Sequence, residues 1–195
     1  MLDDERLALL RLMITPGLGH GLVARCVERF GSATQAVNAS ASGFRSIKGI
    51  GQQRAVTIVE NLRSDDHHRR LDDEQRALEK RGGRLIHRDD PDYPRALAMI
   101  PDAPLVLWVV GEIEANDALA LAMVGSRKCS HYGREQSGRF ASQAVQAGLT
   151  VVSGGAYGID TEAHRAAVQS NGRTLAVIGS GLADLGGLRR RGRQA

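Results

Sequence analysis

Between Leu119 and Gly181, short apolar runs alternate with helical patterns, and each run ends in a small, polar, glycine-bearing loop. The order is strand (Leu119 to Val124), the loop Gly125-Ser126-Arg127, helix, strand (Leu149 to Val152), the loop Ser153-Gly154-Gly155-Ala156-Tyr157-Gly158, helix, strand (Thr174 to Ile178), and Gly179-Ser180-Gly181. A parallel neighbour is reached only by crossing the sheet, so this alternation predicts parallel strands with helical crossovers. The fold class is therefore α/β, and all three loops open at the same carboxyl edge.

Small polar loops let backbone N–H groups approach an anion where the unpaired donors and the dipole of a helix N-terminus favour negative charge. Arg127 adds a cation, so the pattern describes a phosphate site. It is not a dinucleotide site: no G-x-G-x-x-G follows the first strand, and the second ends in Ser153 where a ribose-binding acid would be wanted.

Met123-Val124-Gly125-Ser126-Arg127, Tyr132-Gly133-Arg134-Glu135, Gly148-Leu149-Thr150-Val151-Val152-Ser153-Gly154, Gly158-Ile159-Asp160 and Ala163-His164 together resemble the DprA (Smf) family of DNA-processing proteins. Asp90-Pro91-Asp92-Tyr93-Pro94 and Ala103-Pro104-Leu105-Val106-Leu107-Trp108 are similar to the segment that enters that family's domain, so the likeness runs from about Arg84 to Leu182. It implies a Rossmann-like domain that binds single-stranded DNA in a basic pocket and loads the RecA recombinase during natural transformation. Carried over by motif, it implicates Gly125, Ser126, Arg127, Ser153 and Gly154, with Lys128 as an addition. No cofactor is implied.

The composition is that of a globular chain, with 42% hydrophobic and 25% charged residues in 195. No apolar run reaches the roughly 18 residues of a membrane span, and the acidic Asp3-Asp4-Glu5 is unlike a signal peptide, so a cytoplasmic protein is expected. Cys26 and Cys129 have no metal-type spacing with each other or with the six histidines, which predicts reduced thiols and no metal. Bulk charge does not argue for nucleic acid, because the arginines of residues 189–195 account for the whole net +4. Residues 1–64 carry +3, residues 65–118 carry −5 and residues 119–188 carry +2. Only local placement can then argue for DNA.

Residues 1–64 read as a compact helical unit. Pro16-Gly17-Leu18-Gly19 and Lys48-Gly49-Ile50-Gly51 repeat at a spacing of 32 residues, each followed by a helix, and both resemble the turn of helix-hairpin-helix (SAM-like) modules. Such glycines aim N–H groups at a backbone phosphate without reading bases. Phosphate contact at Gly17, Gly19, Lys48, Gly49 and Gly51 is one reading, with Arg25 and Arg54 as nearby cations. The other is that the glycines merely join packed helices. Ser64 to His68 reads as a solvated break, and residues 65–118 as a connecting helix from about Arg69 to Arg81 followed by entry strands. Trp108, inside an apolar run, reads as packing.

Residues 119–182 form the predicted core. Its first helix, from about Tyr132 to Ala147, places Phe140, Ala141, Ala144 and Val145 on a face expected to pack on the sheet, and Asp160 or Thr161 is expected to cap the next helix. Asp160 and His164 are four apart and could share a face, but an N-cap aspartate is structural more often than catalytic. The run Gly154 to Gly158 is also similar to the loop of LOG-type nucleotide phosphoribohydrolases, although Ser153 and the spacing to Glu162 depart from that signature. A nucleotide-hydrolysing enzyme is therefore the alternative to a non-enzymatic DNA binder. After Leu182 the chain runs through Gly and Leu into Arg189, Arg190, Arg191 and Arg193, where members of the family continue with further strands and a dimer surface. That ending resembles a truncated or frameshifted product. A marginally stable sheet, a divergent basic tail over residues 183–195 with its Arg189 to Arg193 stretch disordered, and no family homodimer are the expectations.

Overall fold

The computed structural model describes residues 3–179, which divide between Glu112 and Ile113 into two compact units. Residues 183–195, and with them the expected disordered tail, lie outside the described residues. No described helix is long and apolar enough to cross a membrane.

The first unit begins with α1 (Asp4–Ile14), α2 (His20–Phe30), α3 (Ala33–Val37), α4 (Ala41–Arg45), α5 (Gln52–Arg63) and α6 (Asp65–Glu79). Asp3 caps α1 by accepting from the Arg6 N–H, and Ser32, Ser40 and Ser64 do the same for α3, α4 and α6. The Glu5 carboxylate also reaches α3, accepting from the Ala33 and Thr34 N–H groups and the Thr34 hydroxyl. Burial would push this carboxyl up, but the hydrogen bonds from Thr34 and Ala33 prevail and hold it below its ordinary value. Leu10, Leu12, Val23, Cys26, Phe44, Ile58 and Leu62 fill the core, where burial pushes the Cys26 thiol up to about 11.

The antiparallel pair β1 (Gly83–His87) and β2 (Val106–Val110), with α7 (Arg95–Ala98) between them, completes this unit. Trp108 stands half-buried opposite Leu85. Arg6 grips the Asp90 carboxylate with two bonds of 2.7 and 2.8 Å, tying α1 to the turn after β1.

The expected solvated break at Ser64 to His68 is overturned. Ser64 both ends α5 and caps α6, so the chain passes directly from one helix to the next. His67 is thereby turned inward, only 2% exposed, with its Nε2 2.9 Å from the Thr15 hydroxyl and 3.1 Å from the Arg11 carbonyl. A cap, not a linker, was the meaning of the serine, and His68 alone of the pair is exposed.

In the second unit a 3-10 turn (Ala115–Ala118) precedes β3 (Ala120–Ala122), α8 (His131–Gln146), β4 (Thr150–Ser153), α9 (Ile159–Gln169) and β5 (Thr174–Ala176). The sheet is parallel in the order β3-β4-β5. Both crossovers step the same way, so right-handed connections put α8 and α9 on one face. Ala141, Ala144, Val151, Ala163, Ala166 and Ala167 form the core between them. Alanines let the two helices approach closely.

Phe140 departs from expectation. It is 51% exposed, and the buried stripe of α8 is Ser137, Ala141 and Ala144. The reason is steric: a helix pressed this closely on its neighbour has room for small side chains at the contact, and the large ring turns outward, where the Arg139 guanidinium lies 5.6 Å from its centre.

Candidate nucleic-acid interface

At the carboxyl edge of the second sheet the loops after β3 and β4 are joined to each other. The Ser126 carbonyl accepts from the Ile159 N–H at 3.3 Å, and the Ser137 hydroxyl of α8 donates to the Ile159 carbonyl at 3.0 Å. Gly158, with φ of 83°, lies so close to the β3 loop that a Cβ there would stand 2.2 Å from the Ser126 carbonyl oxygen. On the facing side a Cβ at Gly125 would stand 2.6 Å from the Ile159 side chain. Both glycines are thus required by close approach, and the two loops form a single rigid rim.

Each residue expected at the site lies on or under that rim. Ser126 accepts from the Lys128 N–H through its hydroxyl at 3.1 Å, which fixes the turn carrying Arg127 and Lys128. Both cations are exposed, and Arg127 has no ion-pair partner among the described residues. Its guanidinium therefore stands open to solvent at the loop tip. Ser153 is buried and donates its hydroxyl to the Met123 carbonyl at 2.7 Å, so it braces the strand before the loop and offers no free hydroxyl. Gly154 lies beside the Asp160 carboxylate.

Asp160 is not a cap. Gly158 precedes the first turn of α9, and Asp160 sits within that turn, buried, accepting from the Ala156 N–H at 3.3 Å. It folds the β4 loop back on its own helix, a task that the motif position alone did not reveal. His164, one turn on, faces Thr174 through Nδ1 at 2.7 Å. Burial lowers its pKa, against the opposing charge of Asp160. Glu162 is engaged by Arg165 in two bonds of 2.7 and 2.8 Å.

The opposite edge carries a network that sequence reasoning missed. Arg173 donates to both Asp117 oxygens, at 2.6 and 2.8 Å, and to Glu114 at 2.8 Å, while Thr150 donates to Asp117 at 2.9 Å. The Arg173 fork holds the Asp117 carboxyl down at about 2. No local pattern joins residues 56 apart in the chain.

In the first unit the two glycine hairpins meet at an open cleft of about 700 Å³ lined by Gly17, Gly49, Gly51 and Arg54. Gly17 and Gly49 have φ of 90° and 98°, and each packs against the helix that follows the other hairpin, Gly17 on Arg54 and Ile58, Gly49 on Leu22 and Arg25. The sequence repeat is therefore also a structural one. Gly19 and Gly51 cap α2 and α5 with no side-chain bond, leaving N–H groups of both first turns to solvent. Arg25 and Arg54 donate to the Lys48 and Gly49 carbonyls at 2.8 and 3.0 Å, so they fasten the second hairpin.

Residues 84–190 match the family model for DNA recombination-mediator protein A. Protein Smf of Synechocystis is 29% identical over 186 residues, covering 93% of this chain and 46% of that protein. The putative DNA processing protein DprA of Mycobacterium tuberculosis is 40% identical over 125 residues, 57% of this chain and 32% of that protein. Among solved structures, DNA processing protein A from Streptococcus pneumoniae superposes with a TM-score of 0.66 at 27% identity, covering 98% of this chain and 65% of that one. The chain thus spans about half the length, or less, of the curated relatives it matches. With the family model matched over more than half of its residues, and the parallel sheet and rim motifs in place, this chain belongs to the DNA recombination-mediator protein A (DprA/Smf) family.

Proposed function

We propose that this protein binds single-stranded DNA through its phosphates at the carboxyl edge of the second unit, without catalysis, and serves DNA processing and recombination by presenting that strand to a RecA recombinase. The observation that carries the reading is Arg127: an exposed cation on a loop whose backbone is clamped by Ser126, Gly158 and Ile159. Gly125, Ser126, Lys128 and Gly154 shape the rim around it, and Ser153 braces it from below. The relatives from Mycobacterium tuberculosis and Streptococcus pneumoniae that are named as DNA processing proteins support the same direction.

Hydrolysis of nucleotides is the weaker reading. Asp160 is tied to the β4 loop and Glu162 to Arg165, which leaves neither carboxylate disposed as a free base. Release of free base from nucleoside monophosphates would overturn the non-enzymatic view.

The direct test is fluorescence anisotropy with an oligothymidine at low salt. Arg127→Ala should weaken binding by roughly 1.5 to 3 kcal/mol, the worth of a charge-assisted hydrogen bond. Arg134→Ala, on the helix beyond the rim, should cost less. Equal affinity of wild type and Arg127→Ala would remove the site.

A further inference from the structure

The chain has seven aromatic residues, three Phe, three Tyr and one Trp. Those of the first unit are buried or half-buried: Phe30, Phe44, Tyr93 and Trp108. Those of the second are all exposed, Tyr132 at 70%, Tyr157 at 51% and Phe140 at 51%. An aromatic ring left in water forgoes a large burial term, so this segregation invites a reason.

Phe140 has one already, since the Arg139 guanidinium lies against its ring. The tyrosines have none of that kind, and both flank the rim. Tyr157 immediately precedes Gly158, the residue pressed against the Ser126 and Arg127 backbone. Tyr132, in the first turn of α8, immediately precedes Gly133, where a Cβ would lie 3.5 Å from both Cys129 Cβ and Ile159 Cδ1. Ile159 thus joins the two positions, and Arg127 and Lys128 lie on the loop between β3 and α8. Tyr157 thus adjoins the glycine that packs on the Arg127 backbone, and Tyr132 lies in the first turn of the helix that follows the Arg127-Lys128 loop.

We infer that Tyr132 and Tyr157 are stacking platforms for the bases of the single strand whose phosphates Arg127 holds, an inference that rests on the function proposed above. The chemistry selects this occupant. Lys128 beside the rings is of a type depleted from protein interfaces, whereas a phosphate backbone calls for it. A phosphate chain needs cations, and its unpaired bases offer flat faces that every base shares. A duplex keeps those faces inside its own stack. Recognition is therefore of unpaired strand and blind to sequence.

The test compares an oligothymidine with an abasic strand of equal length and charge, using the full chain and anisotropy. Wild type should prefer the oligothymidine. The double variant Tyr132→Leu, Tyr157→Leu, checked for unchanged circular dichroism, should lose that preference, with affinity for oligothymidine falling roughly tenfold or more. Its affinity for the abasic strand and its salt slope should not change. Phe at both positions should restore binding, and Phe140→Leu should leave it as in wild type. Equal wild-type affinity for the two strands, or a double variant that keeps its preference, overturns the stacking role. Arg127→Ala should weaken binding of both strands while keeping the base preference, so failure of the phosphate site is seen separately. Absence of binding to either strand overturns both readings.

Discussion

At the scale of single residues, the rim depends on Gly158 more than on any side chain that would face a ligand. Its positive φ and its contact with the Ser126 carbonyl leave no space for a methyl group. Gly158→Ala should therefore destabilise the second unit by roughly 2 to 4 kcal/mol, combining backbone strain with overpacking. Chemical denaturation of the variant measures this, and an unchanged midpoint would mean that the two loops are not clamped together. The motif Gly158-Ile159-Asp160 was visible in the sequence, yet its use was not. Close approach of residues 126 and 158 is a tertiary fact, and Asp160 looked like a cap because that is what an aspartate before an apolar stripe most often is.

At the scale of elements, the starts of β4 and β5 are pinned by Asp117 and Arg173. The Asp117 side chain is only 6% exposed in this pair. Its folded carboxyl titrates at about 2 against an ordinary 3.8. The contribution is therefore complete above the ordinary value and is lost as the pH falls through the folded one. Asp117→Asn should cost on the order of 2 kcal/mol at neutral pH and should flatten the acid limb of a stability profile between roughly pH 4 and 2. A variant whose profile overlays wild type would show the fork to be ornamental. In the first unit the element in question is the paired hairpin. Its capping glycines make no side-chain bond to the helix N–H groups, and Lys48 is an exposed cation beside them. If this pair holds a backbone phosphate, Lys48→Ala should reduce the salt slope of DNA binding by about 0.7 to 0.9. An unchanged slope would assign the hairpins to scaffolding.

At the scale of the molecule, α8 and α9 cover one face of the second sheet, while Leu119, Leu121, Val124 and Val177 remain exposed. Among the described residues β3 and β5 each have one unpaired edge. Exposed apolar surface next to open edges favours association between chains. The 195-residue chain is accordingly expected to scatter light increasingly with concentration and to melt over a broad range. Sedimentation showing one sharply melting species at all concentrations would refute this. The four arginines of residues 189–195 offer a second source of phosphate attraction, so DNA binding should be measured with and without them.

Periodicity and punctuation carried the strands and helices of the second unit and their order, because strand alternation, helix stripes and glycine stops are local consequences of backbone geometry. They also carried the parallel sheet and the position of Arg127 at its carboxyl edge, since topology leaves few other placements. Contacts were a different matter. That His67 is buried rather than solvated, that Phe140 turns outward, that Ser153 spends its hydroxyl on Met123, and that Arg173 reaches back to Asp117 each depend on which helix face meets which neighbour. Those pairings are settled by close packing between segments distant in the chain, and no local spacing encodes them.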